Sequence, residues 1–313
     1  MRVAAIDLGT NSTRLLVADV DGSGVQWLAR ETRITRLGEG VDERHRLLPL
    51  PIARVRNVLT DFRRQAEELG AERSLAVATS AVRDAENGEA FLGEVEWSYG
   101  FATRLASGDD EAELTLRGVS TGRDLDEGTL VVDVGGGSTE LIAADFRVSL
   151  DVGSVRLTER FLHSDPPTTE ELDASAKEVK TLLADRVPDE IRERTSTLVG
   201  VAGTITTLAA LELHGYDPNQ VHGHVLTPEV VALELARLAS VPVDERRRLA
   251  GLEPERAPVI VGGAIVVREL MSHFGVDTLE VSERDLLDGI ALDAAALPAP
   301  VEGDAPPGAY TCC

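Results

Sequence analysis

One stretch of the chain occurs twice. Ile6-Asp7-Leu8-Gly9-Thr10-Asn11-Ser12-Thr13-Arg14-Leu15 aligns without a gap on Val132-Asp133-Val134-Gly135-Gly136-Gly137-Ser138-Thr139-Glu140-Leu141, and Asp19 matches Asp145 further on. Each copy follows a short β-rich apolar segment and runs into another, Leu15 to Val20 and Leu141 to Phe146. A tight glycine turn between two such segments reads as a β-hairpin. Two hairpins about half a chain apart predict a duplicated domain with a cleft between its halves. The 313 residues suffice for two domains of ordinary size.

Between and after the hairpins the apolar period changes. Ile52, Val55, Leu59, Phe62, Ala66 and Leu69 recur at helical spacing, and Gly70 supplies a stop. Short strands are expected over Ser74 to Thr79, Phe101 to Leu105 and Leu198 to Ala202. Helices are expected over Ala85 to Ser98, Asp109 to Val119, Thr169 to Asp185, Pro254 to Phe274 and Glu283 to Leu297. Another is expected over Thr227 to Ala239, with Thr227 as N-cap and Pro228 in its first turn. Strands alternating with helices give an α/β class. The division expected is a first lobe over 1–120, completed by a returning helix near 284–297, and a second lobe over 121–283. The Pro-, Gly- and Ala-rich residues 298–313 read as a disordered tail.

Composition removes several function classes. A hydrophobic fraction of 43% with 27% charged residues is that of a soluble globular chain. The longest apolar run, around Ala257 to Val267, is too short to span a bilayer, and the N-terminus carries no signal-peptide pattern. Neither a membrane nor DNA is an expected partner, since a net charge of −23 lacks the basic stripe of a nucleic-acid binder. The two cysteines, Cys312 and Cys313, are adjacent and cannot staple a fold, so a reducing, cytoplasmic setting is expected. Basic charge is almost all arginine, with Lys177 and Lys180 the only lysines, and arginine is the better planar clamp for phosphate.

The hairpin turns suggest chemistry. Successive backbone N–H groups in a Gly, Ser and Thr turn form a nest for phosphate, and Gly9, Gly135, Gly136 and Gly137 allow close approach. Asp7 and Asp133 end strands at the same mouths. A carboxylate beside a phosphate needs a cation between them, and Mg²⁺ or another divalent ion such as Mn²⁺ meets that need. One glycine turn alone is only a hairpin turn; two matched copies, each with Asp at the same offset, favour a functional reading. No G-x-x-x-x-G-K-[ST] sequence is present, so a P-loop is not indicated. Gly203-Thr204, between a strand and a helix, is either a third anion site or a close-packing position. His222 and His224 suggest a metal pair but lack a third ligand, and the structural reading is favoured.

Taken together, Asp7 to Ser12, Ala78 to Ala85 (Ala-Thr-Ser-Ala-Val-Arg-Asp-Ala), Ser107 to Ala112 (Ser-Gly-Asp-Asp-Glu-Ala) and Asp133 to Ser138 resemble the motifs of the exopolyphosphatase / guanosine pentaphosphate phosphatase (Ppx/GppA) family. The resemblance runs from Val3 to about Ala296. It implies a two-lobed actin-like ATPase (ribonuclease H-like) fold with duplicated βββαβα domains. It implies a phosphoric-anhydride hydrolase of the stringent response, releasing orthophosphate from the end of inorganic polyphosphate, with guanosine pentaphosphate as the alternative substrate. By resemblance Glu111 is the catalytic residue that activates water. Arg83 would hold substrate phosphate, together with Gly9, Thr10, Asn11, Ser12, Thr13 and Gly135, Gly136, Gly137, Ser138, Thr139. Asp7 and Asp133 would place the metal, and Gly203 and Thr204 the nucleotide side. A homodimer follows by analogy alone. Arg14, Arg33 and Arg36 are expected to add positive field at the mouth. Longer family members carry C-terminal helical domains that this chain lacks, which makes short polyphosphates the expected substrate. Thr10 stands where Ser is usual, Asp109 and Asp110 where glutamate or another polar residue is common, Pro258 for Asp, and Leu287-Asp288 for Arg-Glu. The last two changes are expected to alter phosphate binding in the second lobe. The reading from a different class is a nucleotide- or polyphosphate-binding regulator without turnover.

Overall fold

A computed structural model describes residues 1–22 and 24–298. The expected tail and the Cys312-Cys313 pair lie outside the described residues. The chain divides into two compact units, Met1–Arg123 together with the chain from Arg284 onward, and Asp124–Glu283. The first unit opens with β1 (Arg2–Leu8), β2 (Ser12–Asp21), β3 (Gly24–Ile34), α1 (Val41–Arg44) and α2 (Pro49–Glu68). It continues through β4 (Arg73–Ala78), α3 (Ser80–Arg83), α4 (Gly88–Tyr99), β5 (Ala102–Leu105) and α5 (Gly108–Ser120). The second unit begins with β6 (Thr129–Val134), β7 (Thr139–Ile142), β8 (Arg147–Leu150), α6 (Ser154–Phe161), α7 (Thr169–Arg186), α8 (Asp189–Arg194) and β9 (Thr197–Val201). It continues with α9 (Ala202–Glu212), α10 (Pro218–Val221), β10 (Val225–Leu226), α11 (Pro228–Ala239), α12 (Val243–Arg246), a 3-10 turn at Pro254–Arg256, α13 (Ile260–Phe274) and β11 (Leu279–Val281). Helix α14 (Leu286–Ala296) belongs to the first unit.

The duplication seen in the hairpins extends to the whole sheet. The first sheet is ordered β3-β2-β1-β4-β5 and the second β8-β7-β6-β9-β11-β10. In each, three antiparallel strands meet two parallel ones, and the second adds β10 at its edge. Both are the duplicated α/β arrangement of the actin-like class.

Alternation along β1 explains why a helix lies on each face of the first sheet. Ala4, Ile6 and Leu8 join Val55, Leu59 and Phe62 of α2 and Phe91 of α4 in one core. Val3 and Ala5 join Leu114 of α5 and Leu286, Leu287 and Ile290 of α14 in another. Leu287 and Asp288, expected to bear on the second lobe, are therefore residues of the first unit. Leu287 is core, because an apolar side chain at this helix position falls on the sheet.

Several boundaries differ from the sequence reading. The helix expected from Ala85 starts at Gly88, because a preceding turn of helix, α3, takes Ser80–Arg83, and Gly88 is pressed on Val82, whose carbonyl oxygen lies 2.0 Å from where a Cβ would stand. The segment Pro254 to Phe274 is a 3-10 turn and then α13, and the last helix begins at Leu286, capped by Asp285 through the Leu287 N–H. His224 Nε2 lies 2.7 Å from Glu212, and His222 Nδ1 accepts the Glu283 N–H, so both histidines tie loop to framework. Among the described residues no group of three or more His, Cys, Asp or Glu is placed to hold a metal, and no helix is long and apolar enough to cross a membrane.

Asp293 pins α14 to its neighbours, accepting Arg104 Nη1 at 2.5 Å and Arg117 Nη1 at 2.6 Å. Burial pushes its carboxyl up, but the hydrogen bonds and charges of the two arginines outweigh this and hold it below the usual range. A depressed carboxyl contributes stability above its unfolded value, about 3.9, that is lost as pH falls through the folded value. Both arginines are 41% exposed, so the contribution is kept to about 1 kcal/mol. Asp293→Asn is expected to lose that amount at pH 7 and progressively less as the pH falls below the unfolded value; denaturant melts at neutral and at acidic pH check it.

Candidate functional site

Parallel register gathers the motifs of the first unit. Leu8 pairs with Ala78 and Ala78 with Leu105, so β1, β4 and β5 end in one row. The segments that follow them, Gly9–Asn11, Thr79–Arg83 and Ala106–Glu111, therefore emerge along the same carboxyl edge, where open α/β sheets bind ligands. The second unit repeats this. Val132 pairs with Gly200 and Gly200 with Val281, which places Gly135–Ser138 beside the start of α9.

The two glycine turns close in the same way. Gly9 N–H donates to the Ser12 carbonyl at 3.0 Å, and Gly135 N–H to that of Ser138 at 3.1 Å. The chain after the third strand then satisfies the turn's carbonyls. Gly38 donates to Thr10, and Thr35 and Arg36 donate to Asn11; in the second unit Ser154 donates to Gly135, and Val155 and Arg156 to Gly136. Arg156 Nε also donates to the Gly137 carbonyl at 2.7 Å. With their carbonyls occupied, the N–H groups of Thr10, Asn11, Gly136 and Gly137 meet no backbone acceptor among the described residues. Open donors over closed acceptors are the physical content of an anion nest.

Threonine hydroxyls after the turns are used internally. Thr13 Oγ1 meets Thr35 Oγ1 at 2.9 Å, and Thr139 Oγ1 donates to the Val152 carbonyl at 2.6 Å, both buried. They fasten each hairpin to the segment that covers its carbonyls. Asn11 Oδ1 is buried without a partner. At the α9 start, Ala202 holds φ 70 and Thr204 is buried. Arg256 lies over Gly203, its Nη1 2.1 Å from where a Cβ would stand, so the absent side chain is what admits the guanidinium. Thus Gly203 is a close-packing position, whatever else it does.

The acidic start of α5 separates into three roles. Ser107 caps the helix, and Asp110 returns the contact by accepting the Ser107 N–H at 2.9 Å and its hydroxyl at 2.6 Å, bonds that hold its carboxyl low. Asp109 is exposed. Glu111 turns inward, 7% exposed, and Arg83 Nη1 donates to its Oε2 at 2.7 Å and to the Ala106 carbonyl at 2.9 Å. A solvated acidic helix start would leave Glu111 outside; this one places a buried carboxylate in the helix's first turns, where the dipole favours negative charge.

Asp7 is buried, with Oδ2 2.7 Å from Arg14 Nε and Oδ1 without any partner. Burial pushes its carboxyl up, against the pull of Arg14. Arg14 also binds Asp285. Arg33 pairs with Glu31 at 3.0 Å. In the second hairpin Asp133 lies across the ladder from Glu140, the position Arg14 holds in the first. Glu140 is 2% exposed and accepts the Ser149 hydroxyl at 2.8 Å. The sequence reading did not single out Glu140, which stands in the repeat where Arg14 does in the first copy. In the first unit the orphaned buried Oδ1 of Asp7, and in the second the carboxylates of Asp133 and Glu140 opposite one another in register, are oxygen donors of the kind a hard divalent cation takes together with water and phosphate oxygens.

Two sheets of matched order, each with a glycine turn at its carboxyl edge, define a protein of the actin-like ATPase fold class. Within it, the chain belongs to the Ppx/GppA phosphatase family, whose model matches residues 16–297. It is 44% identical over 320 residues to exopolyphosphatase 2 of Mycobacterium tuberculosis, covering 94% of this chain and 98% of that one. Among solved structures it is similar to an exopolyphosphatase-like protein (35% identity, TM-score 0.87, 94% and 98% covered). It is likewise similar to the Aquifex aeolicus Ppx/GppA family member (34% identity, TM-score 0.78, 95% and 98% covered).

Proposed function

We propose that this protein is an exopolyphosphatase that releases orthophosphate from the end of inorganic polyphosphate, in the cytoplasm and with Mg²⁺. The observation that carries the reading is the pair of glycine turns with occupied carbonyls and open N–H groups, each beside a buried aspartate, in a chain of a phosphatase family. The nests receive phosphate oxygens. Asp7 in the first unit, and Asp133 with Glu140 in the second, are each carboxylates suited to a divalent ion, which would offset phosphate charge when bound. Glu111 orients water and accepts its proton, with Arg83 fixing the carboxylate and, on substrate binding, offering its guanidinium to phosphate. Positioning and charge neutralisation supply most of the catalysis, as in phosphoryl transfer generally.

The test is orthophosphate release with Mg²⁺, in parallel on tripolyphosphate, long-chain polyphosphate and guanosine pentaphosphate. Release is expected, fastest per enzyme on the short chain and lost on chelation of the metal. A larger rate on guanosine pentaphosphate would reassign the substrate. No release from any of the three, by a folded protein that binds polyphosphate, would favour a regulator.

Arg83→Met is expected to lower kcat by about 10- to 100-fold, since it removes the group that orients Glu111. Steady-state kinetics on tripolyphosphate check it; a change confined to KM would assign Arg83 to substrate alone.

A further inference from the structure

Arginines of the first unit are mostly engaged by the fold: Arg30 pairs with Asp285, Arg54 with Glu39, and Arg104 and Arg117 share Asp293. Arg44 and Arg46 differ. Both are exposed, and their side chains meet no hydrogen-bond or ion-pair partner among the described residues. The exposed Glu43 and Glu86 lie close by along the chain and across the loop, yet neither closes on them. In a chain of net charge −23, cations left open are the exception.

Backbone contacts fix where these two residues stand. The segment between β3 and α2 is tied first to the glycine turn: the Arg36 N–H donates to the Asn11 carbonyl at 2.9 Å, and that of Gly38 to Thr10 at 2.8 Å. Gly38 is pressed between two site segments, since a Cβ there would stand 2.3 Å from Thr10 Cγ2 and 3.1 Å from the Cβ of Ala81 in α3. Further on, the His45 carbonyl accepts the Glu86 N–H at 2.9 Å, just beyond the helix that carries Arg83. The Asn87 side chain then takes both the N–H and the carbonyl of Leu47, at 2.8 and 3.1 Å. His45, between the two arginines, is held left-handed at φ 49, a conformation a non-glycine residue keeps only where its surroundings impose it. Arg44 folds back over Gly40, its Nε 4.0 Å from where a Cβ would stand. Two open guanidinium groups are thus carried on a segment anchored to the first glycine turn and to the chain that follows Arg83.

A guanidinium offers phosphate oxygens a planar fork of N–H groups. A polyphosphate whose end sits in the first glycine turn carries further phosphates out of it, each with charge to be neutralised. We propose that Arg44 and Arg46 form an accessory subsite for the phosphates that follow the terminal ones, so that they set affinity for long chains and not the rate of bond cleavage. The inference rests on the exopolyphosphatase reading and concerns the first unit alone. Cations that meet a linear polyanion displace its condensed counterions, so affinity falls with salt in proportion to the number of contacts. The subsite acts on KM and leaves the expected preference in kcat for the short chain as it is.

The experiment is steady-state orthophosphate release by the full chain with Mg²⁺, on tripolyphosphate and on long-chain polyphosphate over a range of KCl, with circular dichroism as the check on folding. Arg44→Gln combined with Arg46→Gln is expected to raise KM for the long chain about tenfold and to flatten its dependence on salt. The same variant is expected to keep kcat, and KM for tripolyphosphate, within about twofold of wild type. Arg63→Gln combined with Arg64→Gln removes equal charge near the last turn of α2, which leads into the start of β4 and so lies away from its carboxyl edge. It is expected to stay within about twofold on both substrates. Should the 44 and 46 variant lose structure, Arg46→Gln alone carries the comparison, with about a threefold rise expected. Equal shifts in the two double variants would reduce the effect to net charge and overturn the proposal. No shift, or a shift as large on tripolyphosphate as on the long chain, overturns it too. If wild type releases orthophosphate and the 44 and 46 variant matches it on the long chain, only the subsite falls; if wild type releases none from either polyphosphate, the exopolyphosphatase reading falls with it.

Discussion

Glu111→Gln is expected to lower orthophosphate release from tripolyphosphate by about 10³-fold or more while leaving the fold intact. Glutamine keeps the shape of the side chain and an oxygen for Arg83 Nη1, which now binds Glu111 Oε2 at 2.7 Å. It cannot take a proton from water, and loss of a positioned general base costs about 10²- to 10⁴-fold. The neighbouring carboxylates serve as controls. Asp109→Asn, at an exposed position, is expected to change kcat less than about twofold, as remote surface changes usually do. Asp110→Asn removes charge from the capping box and is expected to act on stability, by up to about 1 kcal/mol, rather than on rate. A Glu111→Gln enzyme retaining a tenth of the wild-type rate would sink the assignment of the base.

The second large effect is structural and reaches the same residue. Helices α5 and α14 meet at two glycines. A Cβ on Gly118 would stand 1.9 Å from the Asp285 carbonyl oxygen, and one on Gly289 2.0 Å from that of Leu114. Backbone faces backbone, so no side chain can yield to make room. Gly118→Ala and Gly289→Ala are each expected to destabilise by about 3 kcal/mol, the upper end of the ordinary overpacking range. Because α5 carries Glu111, the folded fraction should also turn over more slowly. The comparison is Gly93→Ala in α4, where nothing lies within 4 Å of the added methyl. Restoring helix propensity there is expected to stabilise by about 1 kcal/mol. Denaturant melts of the three variants decide; similar losses at all three positions would show that contact at the crossing is not the cause.

The readable features of the chain were local ones. A glycine run between apolar segments specifies a hairpin because so few residues tolerate the turn, and both hairpins formed where the repeat placed them. Helix α2 was legible from its apolar period and from Gly70, whose φ of 76 ends the helix run. Thr227 with Pro228 marked the start of α11. The third strand of each half was missed. β3 lies at the sheet edge and carries Gln26, Glu31, Arg33 and other polar residues, so its alternation is weak, and β8 is only four residues long. Helix α6 was missed because its start is set by the Gly136 turn it bonds to rather than by a cap of its own.

The sequence by itself determined the duplication, the α/β class and the residues at each turn, because backbone freedom and apolar period are properties of neighbours along the chain. Only the tertiary structure decided what those residues do with their charges. Asp109, Asp110 and Glu111 are three consecutive acids in the sequence, yet one is solvated, one caps and one is buried on Arg83. Asp7 and Asp133 sit at matching positions, yet the strand pairing sets one against Arg14 and the other against Glu140. Arg14 is partnered by Asp285, 271 residues away in the chain. Burial and ion pairing depend on which segments the folded sheet and helices bring within a few ångströms, and no local pattern encodes that.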